Sequence, residues 1–133
     1  MKNTSRISNN TLGLLIGLVT SIGWIFMGLD IGFSFEAPDI MSKLLTLGGY
    51  RHTIVTVIAL ILIPLCALEK GWAFITSIIL GIITLGLSMI HVIYMIITMP
   101  IGYESQLFGP IVWSVIQVVI IYFGLRAVRE RQK

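Results

Sequence analysis

With 133 residues, 56% of them hydrophobic and only 11% charged, this chain lies well away from the globular averages of roughly 45–50% and 25%. The deviation takes the form of long apolar blocks, which excludes a disordered chain and leaves too little sequence for a soluble domain of ordinary size. The net charge of +3 is a weak indicator of nucleic acid, and the placement of the basic residues accounts for it better.

Four apolar blocks run over about 11–29, 53–68, 72–99 and 107–128. Each is near or above the ~20 residues that carry a helix across a hydrocarbon core of ~30 Å. None has Asp, Glu or Lys in its interior. The expected fold is all-α: a polytopic membrane protein, one domain over 1–133, built as a four-helix transmembrane bundle.

The first block follows Lys2 and Arg6, as a secretory signal would, yet it is longer than the roughly 7–15 apolar residues of a signal core. It is read as a retained first helix. Within it Gly13, Gly17 and Ser21 stand four apart. In lipid, where no hydrophobic force joins helices, such a small-residue ridge marks a close-packing face.

Residues 37–47 differ in kind. Ala37, Ile40, Met41, Leu44 and Leu45 share one helical face, and Asp39, Ser42, Lys43 and Thr46 share the other. Pro38 suits a first helical turn, and Gly48-Gly49 ends the pattern. At about 11 residues the segment is too short to span, so it is expected as an interfacial amphipathic helix between spans one and two.

The second span begins beside His52, carries Pro64 one turn before its end, and contains the single cysteine, Cys66. One cysteine excludes a disulfide relay within the chain. The break Leu68-Glu69-Lys70-Gly71 is so short that spans two and three must form an antiparallel hairpin.

The third span carries the sharpest pattern in the chain. Ser77, Gly81, Thr84, Ser88, His91, Met95 and Thr98 follow steps of four and three and trace one seam. A polar stripe among Ile, Leu and Val belongs to the bundle interior or to a subunit contact, with hydroxyls bonded to their own helix as its plainest use. His91 is an ionisable group well inside a span, which makes it a functional candidate as well as a candidate hydrogen-bonded structural residue. His52, His91 and Met95 are the candidate metal ligands, although no pair has a recognised ligand spacing. No cofactor is called for.

After a turn-rich loop at 100–106, the fourth span carries Gln117 near its middle, where a side-chain amide normally bonds another helix. Tyr103 and Trp113 are placed as interfacial aromatics. The chain then ends in Arg126, Arg129, Arg131 and Lys133.

Four spans put Lys2, Arg6, Lys70 and these four residues on one side, with only Lys43 and Arg51 on the other. Seven basic residues against two predict a cell-membrane protein with both termini cytoplasmic. The chain lacks the deep acidic residue of small multidrug exporters, the paired cysteines of disulfide-oxidising quinone reductases and the Gly-rich Arg pattern of fluoride channels.

Three functions fit these residues. The first is a non-catalytic subunit or scaffold of a larger membrane complex, with the bilayer and other membrane subunits or a second copy as partners. The second is a small homo-oligomeric transporter or channel using the span-three seam and Gln117. The third is a redox or metal-binding protein using His91. No nucleophile and base can be placed together, so an enzyme is the less favoured class.

Overall fold

A computed structural model describes residues 6–32, 50–98, 100–102 and 104–133. Those residues form four α-helices: α1 (Asn9–Gly32), α2 (Tyr50–Ala67), α3 (Gly71–Thr98) and α4 (Phe108–Arg131). The 3₁₀ turn Glu104–Leu107 leads into α4. The amphipathic segment expected at 37–47 lies outside the described residues.

Helix α1 begins ahead of its apolar block, and α4 runs past the end of its own. At the start of α1, Ser8 Oγ accepts the Thr11 N–H at 3.1 Å and the Ser8 carbonyl accepts Leu12 N–H at 2.9 Å, the geometry of a serine N-cap. At the other end of the chain, Arg129 and Arg131 occupy the last turn of α4, where positive charge offsets the helix dipole.

The α2–α3 connection is closed by a Schellman motif. Lys70 N–H donates to the Leu65 carbonyl at 3.0 Å and Glu69 N–H to the Cys66 carbonyl at 2.9 Å. The motif needs a left-handed residue at Glu69, whose φ is 53°, in the position glycine usually holds. Helix α3 starts at once, so α2 and α3 are an antiparallel hairpin. At the opposite loop Gly102 takes φ 101°, and its N–H donates to Glu104 Oε1 at 3.1 Å. That bond holds the exposed Glu104 carboxyl below the usual carboxylate range.

Helix α4 packs most extensively on α3 and next on α1, while α2 packs on α1 and, least, on α3. Asn10 Nδ2 donates to Glu130 Oε1, and Gly71 lies beside Arg131. The start of α1, the α2–α3 turn and the end of α4 therefore share one pole, here called proximal. At the distal pole Trp24 meets Phe108 edge-on with centroids 6.1 Å apart. Leu14, Leu18, Leu62, Cys66, Phe74 and Ile120 fill the core between the poles.

Glycine sets the spacing of α4 against both α1 and α3. A Cβ on Gly13 would lie 2.5 Å from the Phe123 ring, and one on Gly17 would lie 2.9 Å from Ile120 Cγ1, so α1 meets α4 across both. Between α3 and α4 the fit is reciprocal: Ile121 sits on Gly81, and Ile78 sits on Gly124.

The outward faces are as apolar as the interior. Ile79, Ile82, Ile83, Ile90 and Ile93 on α3 are each about half exposed. Helices α3 and α4 are, among the described residues, the two long and apolar enough to cross a membrane.

Candidate functional site

The α3 seam meets α2 at Ser77 and faces α4 from Gly81 to Ser88. Ser77, Gly81, Thr84 and Ser88 are all buried, as expected of residues at steps of four and three on one helical face. Each meets a different partner.

At the proximal end Ser77 Oγ donates to the Ala73 carbonyl at 2.8 Å. Its proton is thereby used, so the Cys66 thiol, 3.6 Å away, is the donor to Ser77 Oγ. One turn on, Gly81 gives way to Ile121 and approaches the Gln117 carbonyl.

Thr84 Oγ1 lies 2.8 Å from Gln117 Oε1 and 2.7 Å from the Leu80 carbonyl, so one hydroxyl proton is shared between a cross-helix and an own-helix acceptor. Farther on, Ser114 Oγ donates to the Pro110 carbonyl at 2.9 Å, and Ser88 Oγ reaches Ser114 Oγ at 2.9 Å. The Ser88 hydroxyl is also 3.3 Å from the Pro110 carbonyl. Every hydroxyl of the buried seam is bonded, two of them across the α3–α4 interface.

The seam ends before the sequence pattern does. Met95 is half-buried and Thr98 is exposed, its hydroxyl donating to the Tyr94 carbonyl at 2.8 Å. Among the described residues neither has a side-chain hydrogen bond to α4. On α1, Gly13 and Gly17 abut α4, and Ser21 is buried on the same helix.

A second group of polar side chains gathers at the distal end. Arg51 is only 5% exposed, and it and His91 lie within electrostatic reach of His52. The His52 ring stands edge-on to Trp113, centroids 5.5 Å apart and planes at 89°. Trp113 is buried with Val55 of α2, packed by Trp24 of α1 and Leu80 of α3, rather than lying at an exposed aromatic girdle, because it falls one helical turn from Gln117 on the inward face of α4.

Among the described residues the group is rich in nitrogen. His52 Nδ1, His91 Nδ1, Trp113 Nε1 and Gln117 Nε2 are buried with no hydrogen-bond partner among the described residues. Buried polar atoms without partners are uncommon, and each loses its hydration without compensation.

Neither histidine is bonded to a hydroxyl or thiol in the described residues, so no activated nucleophile is assembled there. No three His, Cys, Asp or Glu side chains among the described residues come together as metal ligands. His52, His91 and Met95 thus have no further carboxylate or thiolate to complete a first coordination shell in that part of the chain.

Sequence periodicity indicated the Ser77–Ser88 face and Gln117. It did not identify Ser114 as the partner of Ser88, Trp113 as buried, or Arg51 as enclosed. The signal for the first two was present in the spacing Trp113, Ser114, Gln117, which puts three polar-headed side chains on one turn of α4. Burial of Arg51 had no local signal, since it depends on how α2 seats against its neighbours.

No family model matches the chain, and neither a curated protein nor a solved structure matches it.

Proposed function

We propose that this chain is a four-span protein of the cell membrane that serves as a non-catalytic subunit or scaffold of a larger membrane complex. Both chain ends face the cytoplasm, placing Lys70 and the basic end of α4 against the acidic leaflet. Its partners are the bilayer and neighbouring membrane helices, supplied by other subunits or by a second copy.

The observation that carries this reading is the closure of the α3–α4 seam. Thr84 meets Gln117, Ser88 meets Ser114, and the two glycine pockets are filled by isoleucine. The buried hydroxyls are spent on holding helices together, and what faces outward is apolar surface suited to lipid or to a partner helix. Extraction of the chain from native membranes in mild detergent tests the reading. A scaffold leaves the membrane with partner chains at fixed stoichiometry, whereas a lone monomer under the same conditions overturns it.

A small transporter or channel is the second reading, favoured by Gln117 Nε2, Trp113 Nε1 and His91 Nδ1, which have no partner among the described residues. Polar atoms of this kind line solute paths, where they exchange hydrogen bonds with the passing species. Solute flux into liposomes that falls on His91→Phe or Gln117→Leu supports it; flux indifferent to both removes it.

A further inference from the structure

The end of α4 and the start of α1 border an open cavity of about 430 Å³ lined by Asn10, Tyr122, Arg126, Arg129, Glu130 and Lys133. We propose that it binds the phosphate of an anionic phospholipid, whose acyl chain lies along α4 over Tyr122, Val118, Val115 and Ile111. The proposal rests on the membrane-spanning reading and adds a defined lipid to it.

Charge is the first argument. Three cations and one carboxylate line the cavity, a balance of 3 − 1 = +2. The carboxylate is already engaged, because Glu130 Oε1 accepts from Asn10 Nδ2. Glu130 keeps its charge in that bond, so an anion entering the cavity meets the net +2 of the lining.

Arg126 is prepared for such a ligand. Its Nη1 donates to Tyr122 Oη at 2.7 Å, and its guanidinium carbon lies 5.6 Å from the Tyr122 ring centre. One contact holds the guanidinium in place and leaves its other N–H donors for a phosphate, which suits the forked geometry of arginine. The Tyr122 oxygen accepts that bond, so its own proton remains available to a phosphate oxygen.

The surface leading away from the cavity has the shape of a lipid tail site. Ile111, Val115, Val118 and Tyr122 are each about half exposed. They continue in steps of three and four into Arg126, Arg129 and Lys133, so one face of α4 changes from apolar to basic within a turn. From Ile111 to Tyr122 is 11 residues, or roughly 16 Å at ~1.5 Å per residue. That length matches the ~15 Å hydrocarbon depth of one leaflet.

The site is distinct from a diffuse basic tail. Arg131 points to the other side of α4, its guanidinium carbon 5.6 Å from the Phe74 ring centre, in a separate groove with Gly71 and Gln132. Removing its charge changes the tail by the same amount as removing that of Arg129, from outside the cavity.

The test uses the full chain in nanodiscs of pure phosphatidylcholine or of phosphatidylcholine doped with phosphatidylglycerol, with retained lipid counted by native mass spectrometry. One phosphatidylglycerol per chain is expected to survive release. The double variant Arg126→Gln/Arg129→Gln weakens its retention by about fivefold per side chain, roughly 25-fold together, while Arg131→Gln leaves it unchanged.

Equal losses in Arg131→Gln and Arg129→Gln overturn the site in favour of diffuse attraction. Phosphatidylcholine retained as well as phosphatidylglycerol overturns the anion specificity. Full displacement by soluble glycerol 3-phosphate overturns the acyl-chain stripe. Circular dichroism of each variant confirms that helicity is kept, and Arg126→Lys/Arg129→Lys recovers part of the retention if charge is what binds. Carbonate washing of the same chain in vesicles separates the two readings: a chain that washes off fails both, and one that stays without lipid preference fails only the site.

Discussion

Substituting Gly81 by alanine tests whether glycine sets the α3–α4 distance. The new Cβ would lie 2.8 Å from Ile121 Cγ1 and 3.5 Å from the Gln117 carbonyl oxygen. Carbon atoms in good contact sit ~3.5–4.0 Å apart, so the first contact is short by roughly 0.7 Å or more. Ile121 has little freedom to yield, because a β-branched side chain in a helix has one strongly preferred χ1 rotamer. The helices must part or the side chain must leave its rotamer, at about 1–3 kcal/mol for overpacking.

Against that, alanine in a helix interior gains about 0.5–1 kcal/mol over glycine. The net expectation is a loss of up to about 2.5 kcal/mol. Gly86→Ala isolates the two effects. It shares the backbone gain, but nothing lies within 4 Å of its Cβ position, so it is expected to stabilise by about 0.5–1 kcal/mol. Reversible unfolding in mixed micelles, followed by circular dichroism, should separate the two variants by about 1–3 kcal/mol. In an Ile121→Ala background Gly81→Ala should behave like Gly86→Ala, and the coupling in that cycle is the overpacking energy. Equal shifts for Gly81→Ala and Gly86→Ala, or a clash that persists without Ile121, would refute the reasoning.

Glu69→Gly is expected to stabilise the α2–α3 hairpin by roughly 1 kcal/mol, since the left-handed backbone costs a non-glycine residue about that much; a lowered unfolding midpoint would contradict the Schellman geometry. Cys66 is fully enclosed beside Ser77, so a maleimide should leave the folded chain unmodified and label it completely after denaturation in SDS. A double-mutant cycle of Thr84→Val and Gln117→Leu should yield a coupling of about 0.6 kcal/mol, the usual size of a hydrogen bond between membrane helices. Because Thr84 keeps its own-helix acceptor at Leu80, a coupling indistinguishable from zero would mean that the shared proton stays within α3.

How much of the site could be read from the sequence follows from what periodicity encodes. Steps of three and four specify a face, and Ser77, Gly81, Thr84 and Ser88 are buried on one face of α3. They do not specify how far along that face a partner extends, which is why Met95 and Thr98 continue the pattern beyond the contact with α4. Gln117 carried its own signal, a lone amide in an apolar block. Its partner Thr84, 33 positions away, carried none that singled it out from its neighbours.

The distal group shows the same limit more sharply. Arg51, His52, His91 and Trp113 come from three helices, and Trp113 resembles an interfacial aromatic in any local window. Only the rotation of α4 that brings Gln117 inward also brings Trp113 inward, against His52. The basic cavity at the proximal pole needed a turn of helix as well as a neighbour: the charges at Arg126, Arg129 and Lys133 are legible, but their separation from Arg131 and the engagement of Glu130 by Asn10 depend on α1 lying beside α4.

By itself the sequence determined the helical character of the blocks, the tight hairpin at Lys70 and the inward face of α3, because these depend on composition and on spacing along one chain. The tertiary structure alone decided which side chains meet across helices and which glycines are filled by isoleucine. A repeat along one helix fixes the direction in which a residue points; what it touches is set by the depth and rotation of the neighbouring helix, and these emerge only when all the faces pack together.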